Sequence, residues 1–186
     1  VPVEWVDADQ AREHVKEYMA EGYPLYAIAG ASGLAVTKVR LLVYGLPSAG
    51  AAPTQRLRAA DARAILAAGR PWRDMPDRAL VPAVGAQRRV QALACIGWPS
   101  THIAERVGTT QSHMSGLAKR RRITASMARA IADVYDELAM RPAPDGPYTR
   151  KLRTYAKKHG WAPPLAWDDE TIDDPKTKPQ GHALAA

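Results

Sequence analysis

The chain has 186 residues, 46% of them hydrophobic, and 26 Lys and Arg against 19 Asp and Glu give it a net charge of +7. That composition is too apolar for a disordered chain, and no apolar run approaches the ~20 residues of a membrane span. A lone cysteine, Cys95, rules out an internal disulfide framework.

The elements are predicted in chain order from periodicity and breakers. Asp7 or Asp9 caps a helix running to about Ala20, with Ala11, Val15 and Met19 on one face. Gly22 ends it, Pro24 opens the helix Leu25–Ser32, Gly33 turns the chain, and a helix follows from about Ala35 to Tyr44. Leu46 to Pro53 reads as a loop, and a further helix spans Ala59–Ala68 before Gly69. These make a first domain, 1–69. Residues 70–84, with three prolines and no sustained period, read as a linker.

The second domain, 85–140, repeats the order. A helix over Ala86–Ile96 turns Val90, Leu93 and Ala94 inward, and Gly97 ends it. The helix Ser100–Val107, the turn at Gly108 and a helix from Thr110 to Lys119 follow. A longer amphipathic helix, Ala125–Met140, is capped by Thr124. An extension, 141–175, carries a basic helix Thr149–Lys158 stopped by Gly160, with Trp161 folding back on Tyr155 and Ala156. Residues 176–186 read as a disordered tail.

Two stretches 75 positions apart share one plan. GYPLYAIAGASGLAVTKVRLLVYG from Gly22 aligns without gaps to GWPSTHIAERVGTTQSHMSGLAKR from Gly97. Pro24 meets Pro99, Ile28-Ala29 meets Ile103-Ala104, Gly33 meets Gly108, and Leu42 meets Leu117. Ala62–Ile65 is echoed by Ala128–Ile131, so the repeat covers whole four-helix units, with a longer loop in the first. A helix-turn-helix needs a small residue where its helices approach (Ala29, Ala104) and a glycine turn (Gly33, Gly108). It also needs apolar anchors on its second helix, here Val39 and Leu42, Met114 and Leu117. The expected fold is therefore all-α, with two tandem helix-turn-helix domains and a C-terminal helical extension.

Charge follows the second copy. Residues 1–80 hold 10 basic and 9 acidic residues, 81–160 hold 14 and 5, and 161–186 hold 2 and 5. A basic middle suits a surface facing phosphates. In the second copy Thr110, Gln111, Ser112, His113 and Ser115 are the candidate base readers, since Gln pairs bidentately with adenine and Ser or Thr contacts bases. Lys119, Arg120, Arg121 and Arg122, with Arg88 and Arg89, are candidate phosphate contacts. In the first copy Ala35, Val36, Thr37, Lys38 and Arg40 are the candidates. Two readings stand for that partly apolar helix: it reads DNA, or it packs on a partner or on the second unit. Two also stand for the basic helix Thr149–Lys158, phosphate contact or solvated face.

Enzymatic chemistry has no marker. His14, His102, His113, His159 and His182 lack zinc-ligand spacing, and there is no phosphate loop or GxSxG elbow. No catalytic residue, metal or cofactor is expected.

GAQRRVQALACIGWPSTHIAERVG, ITASMARAIADVYDEL and HGWAPPLAWDDETIDDP resemble the small helix-turn-helix proteins of actinobacteria and their phages, as do EGYPLYAIAGASGLAVTKVRLLVYG and RLRAADARAILA. The resemblance implies DNA binding and makes Trp161 and Trp167 packing residues. The expected function is sequence-specific binding of double-stranded DNA, as a transcriptional regulator or repressor of phage or mobile-element type. A monomer with two different recognition helices suits an asymmetric site. The alternatives are a dimer reading DNA with the second unit alone, or a module docking on RNA polymerase. No membrane partner is expected. VPVEWVDADQ lacks the basic-then-apolar layout of a signal peptide, so the expected location is the cytoplasm of a bacterial cell or phage-infected host, at the nucleoid.

Overall fold

Each helical repeat is bracketed by a pair of three-residue strands, and the strands set its frame. The computed structural model describes residues 3–181, and the chain divides into two units, Val1–Met75 and Pro76–Ala186. The first unit runs β1 (Trp5–Asp7), α1 (Asp9–Ala20), α2 (Leu25–Ala31), α3 (Val36–Tyr44), β2 (Arg56–Arg58) and α4 (Ala59–Ala67). The second runs β3 (Leu80–Pro82), α5 (Val84–Cys95), α6 (Ser100–Val107), α7 (Gln111–Ser115), β4 (Arg122–Thr124), α8 (Ala125–Leu138) and α9 (Pro147–Lys158). The chain is mostly helical, as composition and periodicity predict, and the antiparallel strand pairs are an addition. Among the described residues no single helix is long and apolar enough to cross a membrane.

The two strand pairs share one register. Trp5 faces Arg58, Val6 faces Leu57 and Asp7 faces Arg56; Leu80 faces Thr124, Val81 faces Ile123 and Pro82 faces Arg122. Trp5 and Leu80 are 75 positions apart, whereas Arg58 and Thr124 are 66 apart, so the first copy holds nine extra residues in between. The central residues Leu57, Val81 and Ile123 are buried and their neighbours more exposed, the alternation that ties a strand to a core.

A side chain on the first long helix of each unit clamps the frame at equivalent points. In the first unit the Arg12 guanidinium donates to the carbonyls of Leu42 (2.9 Å) and Thr54 (2.6 Å). In the second, 75 positions on, the Gln87 amide donates to the carbonyls of Leu117 (2.9 Å) and Arg120 (2.8 Å). Both clamps join the end of the third helical segment to the residues leading into the closing strand. In the first unit the Leu42 carbonyl is buried, so the clamp there satisfies an acceptor in the last turn of α3.

The cores are assembled from the positions that repeat. Ile28, Ala29, Val39 and Leu42 are buried in the first unit, and Ile103, Ala104, Met114 and Leu117 in the second. Gly33 and Gly108 both adopt positive φ, +67° and +75°, in the turn between two helices. After each, the next amide returns to a matched carbonyl: Leu34 to Ala29, Thr109 to Ala104. The axes of α2 and α3 are bent by 119°. Thr124 caps α8 by accepting from the Met127 amide, as expected.

Three boundaries differ from expectation. The linker expected over residues 70–84 is folded: Pro71–Asp74 forms a 3-10 turn packed on α2, and Leu80–Pro82 is β3. Trp72 and Met75 are buried, as such residue types in a proline-rich segment favour, and they anchor it. The extension expected over 141–175 belongs to the second unit, where α9 and the turn Pro164–Ala166 pack on α5. Ala156, Ala162 and Ile172 are buried there, and Trp161 folds back as predicted, its amide on the Ala156 carbonyl (3.0 Å) and its ring 5.5 Å from that of Tyr155. The tail expected from 176 is placed up to Gly181, with the Gln180 amide on the Ala166 carbonyl (2.7 Å); residues 182–186 lie outside the described residues.

Gly97 tests this packing. Its φ is +99°, and a Cβ there would meet the Thr149 methyl of α9. Gly108 is also left-handed but has nothing within 4 Å of such a Cβ. Gly97→Ala is expected to cost about 2–3 kcal/mol and Gly108→Ala about 1 kcal/mol, because only the first adds a clash to the conformational penalty. Urea midpoints of the two variants check the order.

Candidate nucleic-acid interface

The second unit displays a continuous polar and basic ribbon. Thr110 precedes α7, and its hydroxyl oxygen accepts from the His113 amide (3.2 Å), so that oxygen is occupied as a helix cap. Gln111, Ser112 and Ser115 are exposed, whereas Met114 between them is buried. His113 is half-buried, its Nδ1 3.0 Å from the Thr109 hydroxyl, which holds the ring against the body of the unit.

α7 is only five residues long. At Gly116 the chain tightens into a 3-10 turn, Gly116–Lys119, where a helix continuous to Lys119 was expected. Glycine is a poor helix former and permits the change. Lys119, Arg120 and Arg121 emerge exposed from that turn. Among the described residues their side chains have no hydrogen-bonding or ionic partner, which leaves three cations for a phosphate surface. Arg122 is also exposed, but it lies in β4 and its guanidinium reaches the Leu80 carbonyl.

Arg88 and Arg89 do not belong to that ribbon. Arg89 is only 4% exposed and makes a two-pronged ion pair with Asp173, at 2.6 and 2.9 Å. Arg88 donates to the carbonyls of Ile172 (2.8 Å), Asp174, Pro175 (3.3 Å) and Thr177 (2.9 Å), and its guanidinium lies 4.6 Å from the Trp167 ring centroid. The expectation of phosphate contacts at these two positions is corrected: they fasten the C-terminal segment to α5. Their partners lie more than 80 residues away, beyond the reach of local pattern. A Cβ at Gly85 would land on the Asp173 carboxylate, so a glycine one turn earlier on α5 makes room for the pair. Trp161 and Trp167 pack, as the sequence suggests.

The first unit offers a different face. Ala35, Val36, Thr37, Lys38 and Arg40 are all exposed around the start of α3. The Lys38 ammonium is 2.8 Å from the Asp61 carboxylate on α4, a surface pair that reduces its availability. Arg40 has no partner among the described residues. Val36 and Tyr44 are 44% and 50% exposed, so the face is mixed.

Sequence reading missed two arginines here. Arg56 and Arg58 stand on the exposed side of β2, with buried Leu57 between them. The alternation Arg-Leu-Arg is the signal, but three residues are too few to separate a strand from a loop.

Few titrations are displaced. Burial pushes the Cys95 thiol up to about 11, so it is protonated at neutral pH and behaves as a small packing residue. Burial, with Asp169 adding repulsion, pushes the Tyr135 phenol up to about 12. The hydrogen bond from Arg106 holds the Glu137 carboxyl below the usual range. Among the described residues no cluster of three His, Cys, Asp or Glu is disposed to hold a metal ion. Compared with protein-family models, curated proteins and solved structures, the chain matches none.

Proposed function

We propose that this chain binds double-stranded DNA in a sequence-specific way, as a transcriptional regulator of phage or mobile-element type with two non-identical helix-turn-helix units. The observation that carries the reading is the frame shared at one register by both units, with the second displaying Gln111 and Ser112 next to Lys119, Arg120 and Arg121. The 119° bend between α2 and α3 suits a helix that enters a groove while its predecessor crosses the backbone. The glutamine and serine supply hydrogen bonds to base edges, and the cations displace counterions from phosphates. The resemblance to actinobacterial and phage proteins points the same way.

The two units contribute unequally. The second reads bases and binds phosphates. The first, with Thr37 and Arg40 polar and Val36 and Tyr44 apolar, adds weaker contacts through thymine methyls and phosphate. Since the two faces differ, a single chain binds an asymmetric site. The exposed apolar residues of α3 favour a second reading, in which that face meets a protein partner and only the second unit touches DNA.

Selection of bound duplexes from a random pool, followed by mass measurement of the complex, tests the proposal. One chain on a non-palindromic site is the expected result. A perfect palindrome holding two chains removes the monomer reading, and recovery of no consensus removes sequence-specific DNA binding.

A further inference from the structure

Behind the polar ribbon of the second unit lies a cleft of about 340 Å³ that the DNA-binding reading does not use. α5 supplies one wall through Val90, Gln91 and Ala94, and α9 supplies another through Tyr148, Leu152 and Tyr155. Trp98 and Trp161 also line it. The remaining wall comes from the end of α7 and the turn after it: Met114, Ser115, Leu117 and Ala118.

Three properties of this cleft define what fits it. Among the described residues no Asp, Glu, Lys or Arg lines it, so a charged ligand would find no counter-charge there and would be penalised for leaving water. Four aromatic side chains line it: His159 and His102 stack on one face each of Tyr155 (3.8 Å) and Trp98 (4.6 Å), the Tyr155 and Trp161 rings meet edge to face at 5.5 Å, and the ring surfaces on the cleft are apolar. The amide of Gln91 and the hydroxyls of Ser100 and Ser115 also face it, and among the described residues none of these three side chains has a hydrogen-bond partner. The volume falls at the small end of the range typical of ligand pockets, about 300–1,000 Å³.

We propose that this cleft binds a small, uncharged, planar aromatic ligand, and that the ligand alters DNA binding by the second unit. The second part rests on the functional reading above. The coupling is mechanical. Gln87 lines the cleft and its amide holds the carbonyls of Leu117 and Arg120, which fixes the 3-10 turn that presents the basic residues. Ser115 lies on the cleft and on the exposed side of α7, one turn from Gln111 and Ser112. A ligand seated here presses on the reading element from behind. Whatever factor it imposes on DNA affinity, DNA imposes on its own affinity.

The test uses the full chain and N-phenyl-1-naphthylamine, an uncharged probe with a planar naphthalene ring that fluoresces in apolar sites. Saturable enhancement is expected, weakened about tenfold or more by Gln91→Trp, which fills the cleft from α5. Leu152→Trp fills it from α9 and covers the case in which the first variant fails to fold, as judged by circular dichroism. Enhancement that does not saturate, or that persists unchanged in a folded variant, overturns the site. With a selected duplex, saturating probe is expected to change DNA affinity by about fivefold or more. Identical affinity with and without probe overturns the coupling. If no duplex binds but the probe saturates and responds to the tryptophans, the functional reading fails while the site stands.

Discussion

Arg89→Ala is expected to remove about 3 kcal/mol or more from the stability of the second unit, because it removes a two-pronged ion pair to the Asp173 carboxylate. The guanidinium is 4% exposed and the Asp173 side chain 18%, so water replaces little of the lost interaction. Arg89 also lies 5.9 Å from the Tyr135 ring centroid, and that contact is lost too. Paired removal has a different outcome. Arg89→Met combined with Asp173→Asn exchanges two charges for groups of similar volume and should recover part of the loss. A double-mutant cycle read by urea unfolding measures the coupling. The same variant decides between a fastening and a phosphate role. At a temperature where Arg89→Ala stays folded, the salt dependence of DNA binding should match that of the parent chain. A salt slope reduced by about 1 would return Arg89 to the phosphate-binding set.

The second large effect is on recognition. Gln111→Ala and Ser112→Ala are each expected to cost up to about 1–3 kcal/mol in discrimination between the selected site and random duplex, with little change in binding to the latter. Arg120→Ala and Arg121→Ala should behave in the opposite way. Each weakens binding to every sequence and lowers the slope of log affinity against log salt by about 1. Competition binding at several salt concentrations separates the two classes. If all four variants lose affinity uniformly, Gln111 and Ser112 are not base readers. The first unit can be scored in the same assay: Arg40→Ala lowers the slope only if α3 meets DNA.

How much of this was legible in the sequence depends on the distance over which each contact acts. The helices came from local signals. Gly22, Gly33, Gly97 and Gly108 all have positive φ, and the helices begin or end at them within a residue or two. The buried faces followed helical spacing at Ile131, Val134, Tyr135 and Leu138, although in α1 burial falls on Tyr18 while Met19 is only half-buried. What escaped was set by long-range partners. The strands join residues at least 40 positions apart and are too short for alternation to register. Arg88 and Arg89 look like surface cations until residues 172–177 arrive beside them. The apparent linker holds a 3-10 turn and β3, and β3 exists only because β4, about 40 residues on, pairs with it. Within the candidate site Gln111, Ser112, Lys119, Arg120 and Arg121 are exposed as expected, although Lys119 to Arg121 lie beyond the helix expected to carry them, because it tightens at Gly116.

The paired clamps of Arg12 and Gln87 have a consequence for how the two copies diverged. Each clamp fixes both ends of the segment between the third helical stretch and the closing strand, at Leu42 and Thr54 in one copy and Leu117 and Arg120 in the other. The chain between those anchors is free to lengthen without moving either, and loop closure penalises added length only weakly. The first copy absorbed its nine extra residues there, and its strands kept their register. A duplicated gene could thus tolerate insertions at this point and accumulate changes on the outer faces while inheriting an unaltered scaffold, a route by which one ancestral module becomes two with separate tasks.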